Sequence, residues 1–135
     1  ELDIDYAKNI INYIIDLKRR KNLLNKQGEI ILTFYGGEPL LKIGLIKEII
    51  EYIEKDIGSE YFSYGMTTNA TLLNKHVDYL DEKKFKLLIS LDGNFEQNKH
   101  RTFHNNNPAF NKTIQNIYSL RTKYPEFYER IRFFV

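Results

Sequence analysis

Two periodicities alternate along this chain from one end to the other, and that alternation limits its fold more than any other feature. From Tyr6 onward, apolar residues at Ala7, Ile10, Ile11, Ile14 and Ile15 keep helical spacing until the basic run Lys18, Arg19, Arg20, Lys21 and Gly28 close the element. Ile30 to Tyr35 is a short β-branched and aromatic run of the buried-strand kind, and it stops at Gly36-Gly37. Past Pro39, the positions Ile43, Ile46, Ile50, Ile53 and Ile57 predict a second helix with Gly58 as its C-terminal cap. Tyr61 to Met66 predicts a second strand, and Thr71 to about Lys83 a third helix with Leu72, Leu73, Val77 and Leu80 inward. Phe85 to Leu91 predicts a third strand. After an Asn-rich loop, Phe110, Ile114, Ile117, Tyr118 and Leu120 mark a fourth helix that Pro125 closes, and Ile131 to Val135 opens a fourth strand.

Helices alternating with short apolar strands predict an α/β fold, with about four parallel strands and four helices joined by right-handed crossovers. A segment of a (β/α) barrel and an open doubly wound sheet share this pattern, and periodicity alone does not separate them. At 135 residues the chain is one domain or part of one. It opens without Met and ends inside a strand-like run, so the expectation is an internal, truncated piece of a larger domain. Such a piece leaves strand edges uncovered, and self-association is expected of it.

Charge and composition narrow the function. The net charge of +2 is too small to imply nucleic acid, and the basic run at the end of the first helix complements the helix dipole opposite Asp3 and Asp5. No apolar stretch reaches the length of a membrane span, and the start Glu-Leu-Asp-Ile-Asp has no signal-peptide character, so no membrane partner and a cytoplasmic location are expected. With no cysteine, the chain holds no disulfide, thiol nucleophile or thiolate-bound cluster of its own. His100 and His104 are four apart but lie in the Asn-rich loop without an obvious third ligand, and His76 stands alone, so no metal site is expected.

In parallel α/β folds ligands bind at the carboxyl ends of the strands, which directs attention to three turns. After the first strand comes Tyr35-Gly36-Gly37-Glu38-Pro39, where two glycines let the backbone approach a ligand and Pro39 suits the first turn of a helix. Backbone carbonyls with one carboxylate suit an ammonium group better than a phosphate, which would want donors. The plainer reading is a tight turn in which Glu38 serves only the following helix. After the second strand, Thr71 can cap the third helix while Thr68 and Asn69 remain free to donate and accept, as ribose hydroxyls and adenine edges require; taken alone, the segment reads better as a plain Asx or capping turn. After the third strand, Ser90 and Asp92 share one side by strand alternation, and Arg101 offers a fork for a carboxylate. A core hydroxyl, a turn and a surface cation would explain those three equally well one by one. Together the three turns fit an amino acid joined to a nucleoside.

Phe34-Tyr35-Gly36-Gly37-Glu38-Pro39-Leu40-Leu41, Thr68-Asn69-Ala70-Thr71-Leu72-Leu73 and Ile89-Ser90-Leu91-Asp92-Gly93 with Arg101 resemble, in order and position, successive motifs of radical SAM enzymes. The likeness runs from about Tyr6 to Arg101 and points to the branch with a C-terminal SPASM domain, which includes sulfatase maturases and peptide-modifying enzymes. The resemblance implies a partial (β/α)6 barrel and S-adenosylmethionine as cofactor. Gly36 to Glu38 would hold the methionyl amino group, Ser90 and Arg101 its carboxylate, and Asn69 would lie near the nucleoside, with Asp92 bracing the loop. It also implies a [4Fe-4S] cluster on a Cys-x3-Cys-x2-Cys loop ahead of the first helix. Here only Glu1 to Asp5 precede that helix. The expected activity of the parent protein is therefore cleavage of S-adenosylmethionine to a 5′-deoxyadenosyl radical that modifies a peptide or protein, with this piece alone inactive. The alternative is a catalytically silent domain that binds a peptide or partner. Ala70 stands where the family more usually has Gly.

Overall fold

The structure is a computed structural model that describes residues 3–24, 30–90 and 109–134. The strands β1 (Ile30–Phe34), β2 (Phe62–Thr68), β3 (Lys86–Ser90) and β4 (Ile131–Phe134) form one parallel sheet in the order β1-β2-β3-β4. The helix α1 (Ile4–Arg20) precedes them, and α2 (Ile43–Tyr52), α3 (Val77–Glu82), α4 (Ala109–Lys123) and the short α5 (Pro125–Tyr128) lie between them in the chain. The expected α/β alternation is therefore present. Strand order follows chain order without the reversal that defines a doubly wound sheet, as in the wall of a barrel. Among the described residues no helix is long and apolar enough to cross a membrane.

Contacts divide the chain into two units, Glu1–Leu32 with Lys42–Ser63, and Thr33–Leu41 with Tyr64–Val135. In the first, α1 starts at Asp3, whose side chain accepts from the Tyr6 N–H at 2.8 Å, and ends in Lys18, Arg19 and Arg20, as its charge pattern predicts. Only Ala7, Ile11 and Ile15 are buried, while Tyr6, Ile10, Tyr13 and Leu17 form an exposed stripe. The apolar run thus covers two faces of the helix, where the sequence suggested one. α1 packs on α2, which buries Ile46, Ile49 and Ile50; the Tyr52 hydroxyl donates to Asn12 Oδ1 at 2.7 Å, and the Lys8 ammonium lies 5.0 Å from the Tyr52 ring centre. The second helix does not stop at Tyr52 but widens into a π turn, Ile53–Ile57, before Gly58.

In the second unit, β2 and β3 pair in the register Gly65 with Lys86 through Thr68 with Ile89, and β3 and β4 pair Leu87 with Ile131 through Ser90 with Phe134. Tyr64, Met66, Leu87, Ile89 and Ile131 are buried, whereas Lys86, Leu88, Arg132 and Phe134 on the alternate positions are exposed. Pro125 ends α4 as expected, because the residue before a proline leaves the helical region: Tyr124 has φ −136° and ψ 63°. The same proline then opens α5, which buries Phe127.

The expected third helix is the largest local departure. Leu73–Lys75 forms a 3-10 turn, and the α-helix begins only at Val77. α3 closes with a Schellman motif, in which the Phe85 N–H reaches Leu80 O at 2.9 Å and the Lys84 N–H reaches Asp81 O at 3.0 Å. Lys84 therefore sits at φ 55°, a left-handed conformation that favours glycine. Its exposed ion pair with Asp81, at 3.7 Å, contributes little, and Asp81 keeps its partner Arg130. Lys84→Gly is expected to raise stability by about 0.5–1 kcal/mol, since relief of the left-handed strain outweighs the added unfolded-state entropy. An unchanged or lowered midpoint in urea would contradict the strain.

Candidate ligand-binding rim

At the carboxyl end of β1 the backbone turns through Gly36 at φ 109° and Gly37 at φ 27°, both outside the range that ordinary side chains favour. A Cβ built on either glycine would meet nothing within 4 Å. Backbone conformation therefore demands the glycines, and the space over them is open. Tyr35 is 83% exposed, while Pro39 and Leu40 turn inward as a 3-10 turn begins.

Glu38 ties this turn to the one after β2. Its Oε1 accepts from the Leu40 N–H at 3.1 Å and from the Thr68 hydroxyl at 2.7 Å, and its Oε2 accepts from the Asn69 N–H at 2.9 Å. The plainer sequence reading, in which Glu38 serves only the following helix start, covers the first bond but not the other two. Thr68 is 2% exposed, and its oxygen also accepts from the Ala70 N–H at 3.0 Å. The Thr68 hydroxyl, expected to be free, is thus fully engaged.

Asn69 builds an Asx turn. Its Oδ1 accepts from the Thr71 N–H at 2.9 Å and from the Thr71 hydroxyl at 2.7 Å, so Thr71 braces this turn and does not cap α3 as the sequence suggested. Among the described residues the Asn69 Nδ2 has no partner, and the residue is exposed. The next residue, Ala70, is wholly buried at φ 60°, which is why glycine is the easier residue there.

The far side of the turn is held by α4, a contribution that sequence reasoning missed. The Thr113 hydroxyl donates to Asn69 O at 2.7 Å. Asn116 Nδ2 donates to Ala70 O at 2.8 Å and Thr71 O at 3.2 Å, and Asn116 Oδ1 accepts from Asn74 Nδ2 at 2.7 Å. Thr113 and Asn116 share the inward side of α4 with Ile117 and Leu120, and polar residues inside an apolar stripe were the available signal.

Ser90 ends β3, half-buried and paired in register with Phe134. Asp92, Arg101, His100 and His104 lie outside the described residues. Among the described residues no three His, Asp or Glu side chains are grouped to hold a metal ion. The structure therefore brings the turns at 35–39 and 68–71 together through Glu38.

The sequence profile of the radical SAM superfamily matches residues 11–129. The chain is also similar to the uncharacterized protein MJ0907 of Methanocaldococcus jannaschii, at 34% identity over 122 residues, 87% of this chain. The match covers 43% of that relative, so the chain spans less than half the length of the curated protein it resembles.

Proposed function

Because the chain belongs to the radical SAM superfamily, we propose that the rim built from the turns after β1 and β2 binds S-adenosylmethionine. Tyr35 to Pro39 would form the segment that receives the methionyl amino group, Thr68 and Asn69 the segment beside the nucleoside, and Ser90 and Arg101 the carboxylate end, with Asp92 bracing the loop between them. The observation that carries this reading is the pair Gly36-Gly37, held at positive φ with open space where side chains would stand. A backbone so bare can meet an ammonium group directly. The adjoining turn, with an Asn69 Nδ2 amide that has no partner among the described residues, can meet a neutral acceptor on a base or ribose.

Bound there, S-adenosylmethionine would supply a 5′-deoxyadenosyl radical for taking hydrogen from a substrate, released together with methionine when one electron arrives from a reduced cluster. The protein's part is to bind and orient. The chain contains no cysteine and so brings no thiolate to an iron–sulfur cluster; a longer protein carrying it would hold the cluster on cysteines outside this sequence. On this reading the chain alone binds the cofactor without cleaving it. The motif run from Phe34 to Arg101 supports the finer assignment to the SPASM branch and a peptide or protein substrate. The second reading is a silent domain that binds a peptide or partner, and it would hold if the full-length protein carried no cluster cysteines outside this sequence.

Equilibrium dialysis of the full-length protein against labelled S-adenosylmethionine separates the two, with wild type beside Gly37→Val. Valine at φ 27° is strained and fills the open space, so its affinity is expected to be about 10-fold lower, roughly the effect of one lost ligand contact. A wild type without affinity would leave the silent-domain reading standing, and an unaffected variant would move the site away from these glycines.

A further inference from the structure

We propose that Glu38 is a positioning residue, one that clamps the turn after β2 to the turn after β1 and so aims the Asn69 amide at the ligand, and that it is not itself the partner of the ligand's amino group. The inference rests on the reading of the rim as an S-adenosylmethionine site and assigns Glu38 a different task within it. Three donors converge on the Glu38 carboxylate: the Leu40 N–H, the Thr68 hydroxyl and the Asn69 N–H. A carboxylate has about four acceptor positions, so most of its capacity is spent inside the protein. Two of the three donors belong to the neighbouring turn, 30 and 31 residues further along the chain.

The clamp has a consequence for Asn69. Because Glu38 fixes its backbone N–H and Thr71 occupies its Oδ1 twice, the side chain keeps its Nδ2 amide as the group without a partner among the described residues. The rim therefore offers the ligand a donor at this position and selects an acceptor, such as a ring nitrogen or a hydroxyl oxygen. Thr68 transmits the hold, since its hydroxyl donates to Glu38 while accepting from the Ala70 N–H, and at 2% exposure it does not reach a ligand.

The test uses full-length protein, two variants and two probes. Glu38→Gln keeps an oxygen for Thr68 but sets an NH2 group against the Asn69 N–H, and Thr68→Val removes the bridging hydroxyl at similar volume. Amide hydrogen exchange is read at Asn69 and Ala70 without ligand, with the α1 amides as a control for global stability. Affinity is read for S-adenosylmethionine and for 5′-deoxyadenosine, which has no amino acid part. The expected result is exchange at least about 10-fold faster in both variants, as loss of a charge-assisted bond predicts, with both probes weakened by a similar factor. A Glu38→Gln protein that loses affinity for S-adenosylmethionine alone, with the nucleoside and the amide exchange unchanged, would make Glu38 a direct ligand and overturn the proposal. Exchange at the wild-type rate in both variants would also overturn it. If wild type binds neither probe while the exchange effects appear, the cofactor reading fails and the clamp stands.

Discussion

Phe85→Ala is expected to lower the free energy of unfolding by about 3–5 kcal/mol, a large part of what holds a domain of this size together. The ring is wholly buried and lies at the one residue where the end of α3, the start of β3 and the aromatic cluster meet. Its centroid is 5.6 Å from Tyr64 in a stacked arrangement, 6.1 Å from Phe34 and 6.5 Å from Tyr79. Ring pairs of this kind add to the burial itself. Phe85 is also the residue whose N–H closes the Schellman motif on Leu80 O, so its packing fixes the exit angle of the chain into the strand. Phe85→Leu keeps most of the volume and is expected to cost clearly less, about 1–1.5 kcal/mol. Urea titrations of both variants measure the difference, with unchanged slope showing that the native state has lost packing and not cooperativity. A loss below about 1 kcal/mol in the alanine variant would mean that the cluster closes over the gap.

The elements that sequence made legible are those in which one periodicity is uninterrupted. Ile46 and Ile50 on α2 and Ile53 at the start of the π turn lie inward as their spacing predicts, and the β-branched run at Ile30 ends where two glycines take positive φ. The third helix was misjudged because Leu73, Val77 and Leu80 are spaced three and four apart, which fits an α-helix from Thr71 as well as a 3-10 turn followed by a helix from Val77. α1 forms where its spacing predicts, but which of its apolar residues turn inward is not legible, because one facing water and one facing the core leave the same mark in a sequence; Ile10 and Ile11 are neighbours with opposite fates. At the rim, the glycines and Asn69 announced themselves by residue type. The bonds that join the turns did not, since Glu38 meets Thr68 and Asn69 only after a full βαβ crossover, and no local rule pairs residues at that separation.

Asn116 is the residue through which the fold and the rim are coupled most strongly, and Asn116→Ala is expected to cost about 2–4 kcal/mol. It is buried, and its amide makes three hydrogen bonds, to Ala70 O, Thr71 O and Asn74 Nδ2. A single net hydrogen bond is worth about 1 kcal/mol, and truncation adds the cost of leaving Ala70 O buried without this donor. The left-handed turn at Ala70, already carrying about 1 kcal/mol of strain for a residue with a side chain, loses two of its three hydrogen bonds from α4 and keeps the one from Thr113 to Asn69 O. Asn116→Asp sharpens the test, because it keeps the oxygen that accepts from Asn74 and sets a second oxygen against two carbonyls; it is expected to be at least as damaging as alanine. Both variants are measured by urea unfolding, with amide exchange at Thr71 as the local report. If stability falls as expected and exchange at Thr71 quickens beyond the global change, α4 holds the turn in place and Glu38 is one of two clamps on it. If stability falls by less than about 1 kcal/mol, the turn stands without Asn116, and the Glu38 carboxylate together with Thr68 and the Thr113 hydroxyl is enough to keep the rim formed.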